Sequence, residues 1–227
     1  MDVGETRRAR QRRELLVEVE AEARRQLVEA GPKGVSIRAL ARAVGLSPAS
    51  LYTYFTSLDD VFTMLLLGSY RRLANATAAA AAAFAGDPPA DAAFAAILAY
   101  RRWALDHRGE FNLIFSDQLP GYEAPPGGPT VAAQIAVFQP IIDALADLAP
   151  PDPEFSEAQL AAYVWAAFHG IVTLEVNHHV DWVEGTEAVH EMAVRKAFAS
   201  VGLPSPSPDL GTKFQGWLDS GEPTAPG

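Results

Sequence analysis

One stretch of twenty residues, 36–55 (SIRALARAVGLSPASLYTYF), constrains the fold of this chain more than any other. Ser36 precedes apolar residues at helical spacing, and its hydroxyl can accept a hydrogen bond from a first-turn N–H. Gly45 stands where this helix should end in a left-handed turn. Ser47 and Pro48 then supply an N-cap and a first-turn proline for a second helix. Two short helices joined by a tight turn predict a helix-turn-helix, whose second helix can enter the major groove of DNA.

The second of these helices has a short apolar face and many polar side chains. Leu51 and Phe55 form the inward face, and the residues between them carry hydroxyl and phenol groups that can reach phosphate oxygens. On periodicity alone, a helical hairpin inside an ordinary all-α core is the alternative. The flanking features described next favour contact with DNA.

The same segment resembles the DNA-binding domain of the TetR family of transcriptional repressors. The resemblance runs from about Arg13 to Leu67 and begins with a helix that ends at Gly31. This combination of spacings is far more specific than a generic helix-turn-helix. The residues that carry it are Val35-Ser36-Ile37, Leu40-Ala41, Gly45-Leu46-Ser47 and Leu51-Tyr52-x-Tyr54-Phe55.

The resemblance implies which residues contact DNA. Family positions place Arg38 near a base edge, where a guanidinium can bond guanine O6 and N7; contact with phosphate alone is the alternative. The two tyrosines are expected to contact the DNA backbone more than the bases. One position departs from the family, because Leu58 stands where a phosphate-binding lysine is usual, and this predicts weaker anchoring. The candidate DNA-binding residues are Ser36, Arg38, Ser47, Ala49, Ser50, Tyr52, Thr53 and Tyr54.

The net charge of −10 is unevenly divided along the chain. Residues 1–60 carry ten Lys and Arg against nine Asp and Glu, whereas residues 61–227 carry eight against nineteen. The acidic residues 61–227 would be repelled by a DNA duplex, so only the N-terminal end of the chain should attract DNA. The basic charge is densest in an arm that can neutralise phosphates and could replace the missing lysine, or could be a solvated tail. This arm contains Arg7, Arg8, Arg10, Arg12 and Arg13.

No β-branched alternation suggests a sheet, so we predict an all-α fold. A three-helix helix-turn-helix domain (1–57) should precede an antiparallel helical bundle (58–203), followed by a Pro/Gly-rich tail (204–227). Pro140 should kink or split its helix. Apolar residues near 210–218 leave open a short docked helix or a free tail. The expected helices are 10–30, 58–85, 89–107, 110–116, 130–148, 156–181 and 186–201, with a loop at 117–129.

The helix at 156–181 is apolar over most of its circumference, which indicates burial in a core or a subunit interface. Its residues Trp165, Phe168, His169 and Gly170 resemble a Trp-His-Gly signature of one branch of the family, interrupted because Phe168 holds the first place of the signature. The resemblance implies a homodimer through 156–181 and 186–201. Such a dimer would bind a palindromic operator with half-sites about 34–36 Å apart, or a multiple of that.

The family resemblance also implies a small-molecule effector that binds the helical bundle and releases DNA by tilting the helix at 58–85. Aromatic side chains dominate the candidate pocket walls, which predicts a small, largely apolar effector. Taken singly, each of them fits an ordinary core better than a pocket. The candidate ligand-binding residues are Tyr100, Trp103, Phe111, Phe115, Phe138, Trp165, Phe168 and His169. The sequence does not distinguish a repressor from an activator.

Other functional classes find little support. There is no cysteine, nucleophile elbow or glycine-rich phosphate loop, so we expect neither an enzyme nor a cofactor. Glu175 with His178 and His179 could suggest a metal site, but adjacent helical residues point about 100° apart, so a polar patch is favoured and no metal is expected. No membrane-spanning run or signal sequence is expected, which favours the cytoplasm. The alternative function is a helical partner-binding protein without an effector.

Overall fold

The computed structural model describes residues 7–116, 119, 122, 127–147 and 154–221. These residues contain helices and no strand, which confirms the all-α prediction. The helices are α1 (Arg7–Ala30), α2 (Ile37–Ala43), α3 (Pro48–Leu51), α4 (Leu58–Ala83), α5 (Pro89–Asp106), α6 (Arg108–Phe115), α7 (Pro129–Ala146), α8 (Glu157–Val176), α9 (Thr186–Ser200) and α10 (Leu210–Asp219), with a 3-10 turn at Pro32–Gly34.

The first compact unit comprises residues 7–69 and the described part of 109–130. Its core combines one apolar face from each of its helices, because each is amphipathic and helices as short as α2 and α3 are not stable without such packing. The fully buried side chains include Val19 of α1, Leu40 of α2, Leu51 of α3, Leu65 of α4 and Phe111 of α6. This core holds α2 and α3 in a fixed arrangement.

The second compact unit comprises residues 70–108 and the described part of 131–221. Helix α5 is its most deeply buried element, with eleven buried residues that include both aromatic and charged side chains. Phe94 of α5 meets Phe198 of α9 edge to face, with ring centroids 6.2 Å apart. Tyr100 of α5 meets Phe168 of α8 in the same way at 5.1 Å. Aromatic packing of this geometry therefore joins α5 to both α8 and α9.

Several helix boundaries differ from the sequence expectation. Helix α1 begins at Arg7, three residues earlier than expected, so the arginines at 7–13 are helical. Helix α8 ends at Val176 because Arg108 donates to the carbonyl oxygens of Glu175 (3.0 Å) and Val176 (2.7 Å) and so satisfies the end of the helix. The two histidines His178 and His179 consequently lie in a turn, and His178 adopts a positive φ of 61°.

Helix α7 continues through Pro140 instead of splitting there. Proline removes one hydrogen bond to the residue four positions earlier, Ala136, which lies on the exposed side of α7, where water can bond its carbonyl. By length and composition α7 could cross a membrane, contrary to the expectation that no run would qualify. A single such helix is also common in soluble proteins, and Gln134, Gln139 and Asp143 interrupt its apolar face.

The C-terminal segment forms the docked helix α10 that the sequence left open. Leu210 and Phe214 bury its apolar face. The segment before it is fixed by Asp91 of α5, whose carboxylate accepts hydrogen bonds from the backbone N–H (2.8 Å) and hydroxyl (2.6 Å) of Ser207. Arg195 of α9 donates to the carbonyl oxygen of Pro206 at 2.7 Å. These polar contacts stabilise an element that contains two helix-weakening glycines.

A buried polar cluster lies among α5, α8 and α9 in the second unit. Arg101 donates two hydrogen bonds to the carboxylate of Glu175, at 2.8 and 2.6 Å. Glu187 lies 3.5 Å from the same guanidinium and is mostly exposed. His190, which is only 1% exposed, completes the cluster. Burial, together with the positive charge of Arg101, lowers the pKa of His190 to about 4 against the opposing effect of Glu175.

We expect His190 to make stability depend on pH between about 4 and 6.5. Its pKa is lower in the folded chain, so the unfolded chain binds the proton first as the pH falls, and the stabilisation present above pH 6.5 is lost towards pH 4. At about 1.4 kcal/mol per pH unit, the loss should reach roughly 3 kcal/mol. Urea unfolding at several pH values should show a weaker dependence for His190→Gln. Equal dependence in both proteins would contradict the assignment.

Candidate nucleic-acid interface

The first motif helix, α2, begins and ends as its sequence predicts. The hydroxyl of Ser36 accepts a hydrogen bond from the N–H of Ala39 at 3.2 Å and caps the helix. Gly45 adopts the left-handed φ of 69° that allows the chain to turn, and Leu46 N–H closes the turn onto the Ala41 carbonyl at 2.8 Å. Arg38 lies in the first turn of α2 and is exposed. Its guanidinium is therefore accessible to a ligand.

The second motif helix, α3, is short and strongly capped. The hydroxyl of Ser47 accepts a hydrogen bond from the N–H of Ser50 at 3.0 Å and lies 2.8 Å from the Ser50 hydroxyl. Regular helix ends at Leu51, and a tighter turn follows through Tyr54. The Thr53 hydroxyl donates to the Ser50 carbonyl at 2.7 Å, while the Tyr54 N–H donates to Leu51. The Ser50 carbonyl accepts from the Thr53 N–H (3.2 Å) as well as from the Thr53 hydroxyl, and the Tyr54 N–H does not bond it as in a regular helix.

The predicted DNA-binding residues are accessible, whereas the apolar anchors are not. Seven of the eight are exposed and Tyr54 is half-buried. Leu51 is 0% exposed and Phe55 is 4% exposed, so the helix is held by these two side chains. Tyr52 is 53% exposed. The alternative of a hairpin enclosed in a core therefore does not describe this segment.

Hydrogen bonding restricts what each hydroxyl can still offer. Because Thr53 donates its proton to the Ser50 carbonyl, its side chain retains acceptor lone pairs and a methyl group. Phosphate oxygens need donors, so this arrangement suits Thr53 for a base edge and not for phosphate. Ser36 accepts at its cap and keeps its own proton available for donation. Tyr52 can likewise donate its phenolic proton.

The junction after α3 is fixed by a reciprocal cap at the start of α4. One carboxylate oxygen of Asp60 accepts from the N–H and the hydroxyl of Thr56, both at 2.6 Å, and the Ser57 hydroxyl accepts from the Asp60 N–H at 3.3 Å. Hydrogen bonds from Thr56 hold the pKa of Asp60 below its usual value. A charged cap at this position stabilises the helix N-terminus. These hydrogen bonds fix the junction between α4 and the three helices α1–α3, which together form the three-helix head.

The structure adds residues that sequence reasoning did not assign individually. The guanidinium carbon of Arg12 lies 5.6 Å from the centre of the Tyr54 ring, within range of a cation–π interaction. Lys33 and Arg42 are also exposed in this unit. The cluster of arginines was visible in the sequence, but the pairing of one of them with Tyr54 depends on the packing of α1.

Five of the eight candidate ligand-binding residues contact one another in the second unit. Their centre is Tyr100, whose hydroxyl lies 2.8 Å from His169 Nδ1, while His169 Nε2 lies 3.3 Å from the Thr173 hydroxyl. Phe138 packs against Trp165 with ring centroids 4.7 Å apart, and Trp165 lies 5.0 Å from His169. Burial raises the pKa of Tyr100 and lowers that of His169, so both groups stay neutral near pH 7.

The other three candidates lie elsewhere. Trp103 stacks on His107 with ring centroids 4.9 Å apart. Phe111 and Phe115 belong to the first unit, where their rings lie 5.0 Å from each other. The sequence grouped these residues by aromatic character alone.

A shallow groove lies beside the aromatic cluster in the second unit. Its volume is about 210 Å³ and its surface is almost entirely apolar. The interior around Tyr100, Phe138 and Phe168 leaves no room for a water molecule. The residues lining the groove are Gln134, Ile135, Phe138, Ile142, Ala158, Ala161, Ala162 and Trp165.

In the part of the chain that the structure describes, no group of three or more His, Asp or Glu side chains could hold a metal ion. His178 instead bonds Asp181 through Nδ1 at 2.9 Å, with both side chains exposed. The polar patch expected around Glu175 is therefore divided. The buried Glu175 pairs with the partly buried Arg101, while His178 belongs to the surface turn.

Two family models match this chain. The model for bacterial regulatory proteins of the tetR family matches residues 21–64, which contain the helix-turn-helix. The model for the tetracyclin repressor-like C-terminal domain matches residues 93–197, which contain the buried polar and aromatic clusters. Together the two matches span about two thirds of the chain.

Similar proteins agree with these matches. The HTH-type transcriptional regulator Rv1816 of Mycobacterium tuberculosis (strain ATCC 25618 / H37Rv) is 34% identical over 145 residues, which are 63% of this chain and 60% of that protein. The putative regulatory protein SCO4313 has a TM-score of 0.71 at 26% identity, over 86% of this chain and 100% of that one. A protein of unknown function from Rhodococcus sp. RHA1 shares the fold, with a TM-score of 0.67 at 24% identity over 82% of this chain and 95% of that one. Both halves of the sequence thus match one family, and the chain belongs to the TetR family of helix-turn-helix transcriptional regulators.

Proposed function

We propose that this protein is a cytoplasmic, dimeric DNA-binding regulator that represses transcription from a palindromic operator and is released by a small apolar effector. The observation that carries the proposal is the exposure of the polar residues of α2 and α3 around two buried anchors, Leu51 and Phe55. That arrangement leaves a short helix free for the major groove. The chain spans 60% of the length of the curated relatives that it matches.

A homodimer through residues 156–181 and 186–201 is supported by the apolar surface of α8 and α9. A row of small residues, Ala162, Ala166 and Gly170, lies exposed along α8 at intervals of one helical turn. A Cβ added at Gly170 would meet nothing within 4 Å, so the protomer itself gives no reason for a glycine in mid-helix. Small residues allow two helices to approach closely. Larger apolar side chains are also exposed just before α8, on α8 and on α9: Phe155, Tyr163, Leu174, Val189 and Met192.

The effector site is supported by the groove of about 210 Å³ between α7 and α8. Its apolar lining suits an uncharged, largely apolar molecule, and Gln134 is the polar side chain that could orient one. Phe138 and Trp165 line the groove and also contact the Tyr100–His169 pair. A ligand that moves them would therefore disturb α5 as well. Helix α4 continues from the first unit into the second, which makes it the candidate for coupling to DNA.

Selection of bound duplexes from a random pool, repeated at two salt concentrations, tests the proposal. A dimer of this kind should enrich an inverted repeat with half-sites about 34–36 Å apart, or a multiple of that. Absence of any enriched sequence would favour the partner-binding alternative. Small molecules can then be screened for release of the selected duplex. If the groove has a purely structural role, no small molecule should release the DNA.

Arg38→Ala should weaken binding to the selected duplex by about 1–3 kcal/mol and relax the preference at one base pair in each half-site. The reason is loss of a bidentate bond to guanine. The matched comparison is Tyr52→Phe, which removes a backbone contact and should weaken binding to all sequences alike. Anisotropy measurements on duplexes with single base changes distinguish the two patterns. If Arg38→Ala weakened binding uniformly, the arginine would be a phosphate contact only.

A further inference from the structure

The first two turns of α1 carry more positive charge than local stability explains. Five arginines stand between residues 7 and 13, all of them exposed, and the first turn contains no acidic residue. Positive side chains at a helix N-terminus are disfavoured by the helix dipole. The sole acid of this stretch, Glu14, lies 3.9 Å from Arg10 in an exposed pair. These turns therefore form a surface suited to an anionic partner.

One of these arginines lies against the end of the helix-turn-helix at residues 36–55, which we call the recognition segment. Arg12 lies over the ring of Tyr54, with its guanidinium carbon 5.6 Å from the ring centre. Tyr54 is half-buried and directly follows the exposed Thr53. Stacking on an aromatic face leaves the edge of a guanidinium and its N–H donors available. The contact thus places a phosphate-binding group next to the residues proposed to enter the groove.

We propose that Arg12, positioned by Tyr54, binds a backbone phosphate at the edge of each half-site, and that α1 is a second DNA-contacting element of the head. This inference rests on the proposed function and adds a specific contact to it. Its partner is the phosphate backbone of duplex DNA, so the contact is independent of sequence. Arg7, Arg8 and Arg13 are exposed on the same two turns of α1 and add to the local positive field.

The test is the salt dependence of binding to the selected duplex, measured by anisotropy between about 50 and 200 mM salt. Each phosphate contact contributes roughly 0.9 to the log–log slope, so Arg12→Ala should lower the slope of a dimer by about 1.8. Over this range the variant should lose about tenfold less affinity than the parent. Tyr54→Leu should lower the slope similarly although tyrosine is uncharged, and combining the two changes should lower it no further.

Arg25→Ala is the matched control on the same helix. Arg25 is exposed, but its guanidinium is already bonded to Glu22 and Glu29 at 2.6 Å, so the slope should not change. Unchanged slope in Arg12→Ala, or an equal decrease in Arg25→Ala, would overturn the inference while leaving the function intact. If the parent protein bound no duplex, the proposed function itself would fail. Circular dichroism of each variant verifies that α1 is retained.

Discussion

Replacing Gly170 by arginine should abolish dimerisation and lower affinity for the selected duplex by about 10²–10⁴-fold, because one head alone loses the gain from linked half-sites. The protomer should remain folded. A Cβ at this position meets nothing within 4 Å, and glycine is about 0.8–1 kcal/mol less favourable than alanine inside a helix, whereas arginine ranks with the good helix formers. Sedimentation measures the subunit state, and anisotropy on the same samples measures DNA affinity.

The matched control for this prediction is Gly216→Arg. Gly216 is also an exposed helical glycine with nothing within 4 Å of an added Cβ, but it lies on α10, outside the proposed interface. The Gly216→Arg substitution should leave both the dimer and the affinity for the selected duplex unchanged. A dimer that persists in Gly170→Arg would show that α8 is not the surface through which two copies associate.

Replacing Glu175 by leucine should cost about 3–5 kcal/mol of unfolding free energy. The change leaves Arg101, whose side chain is 15% exposed, without its buried partner. The hydrogen bonds that Arg101 donates to Glu175 raise the pKa of Arg101, so the guanidinium stays charged in the folded chain. Its remaining neighbour, Glu187, is mostly exposed at 3.5 Å and compensates poorly. Urea unfolding at neutral pH measures the loss.

Two further variants determine whether the stability lost in Glu175→Leu is due to the unpaired charge of Arg101. The double change Arg101→Met with Glu175→Leu should recover most of the stability, since a buried ion pair can be replaced by apolar side chains with little loss. Asp106→Leu removes the acid from the adjacent but exposed pair, Arg102–Asp106, and should cost about 0.3–0.5 kcal/mol. If the double variant were as unstable as Glu175→Leu, packing and not charge would explain the effect.

Local features of the recognition segment could be predicted from sequence because they involve neighbouring residues only. Ser36, Gly45 and Ser47 act within three or four positions of themselves, and their caps and turn have the expected geometry. The early end of α3 was not foreseen. It depends on Thr53, whose hydroxyl bonds the Ser50 carbonyl. In a regular helix the Tyr54 N–H would bond that carbonyl.

Features that depend on distant residues could not be predicted in the same way. Arg101 recurs at helical spacing with the apolar residues Phe94 and Ile97, but its partner Glu175 is 74 residues away. The end of α8 depends on Arg108, which lies 67 residues before Glu175 and 68 before Val176. Helix α10 forms despite two glycines because Leu210 and Phe214 are buried. Tertiary packing outweighed local preference in each case.

Methylation interference on the selected duplex tests most directly whether α3 and the start of α2 enter the major groove. Methyl groups at guanine N7 project into that groove, whereas those at adenine N3 project into the minor groove. We expect N7 methylation to block binding at two clusters related by the operator symmetry, and Arg38→Ala to lose one guanine from each cluster. Interference only at adenine N3, or none in a duplex that still binds, would contradict the account.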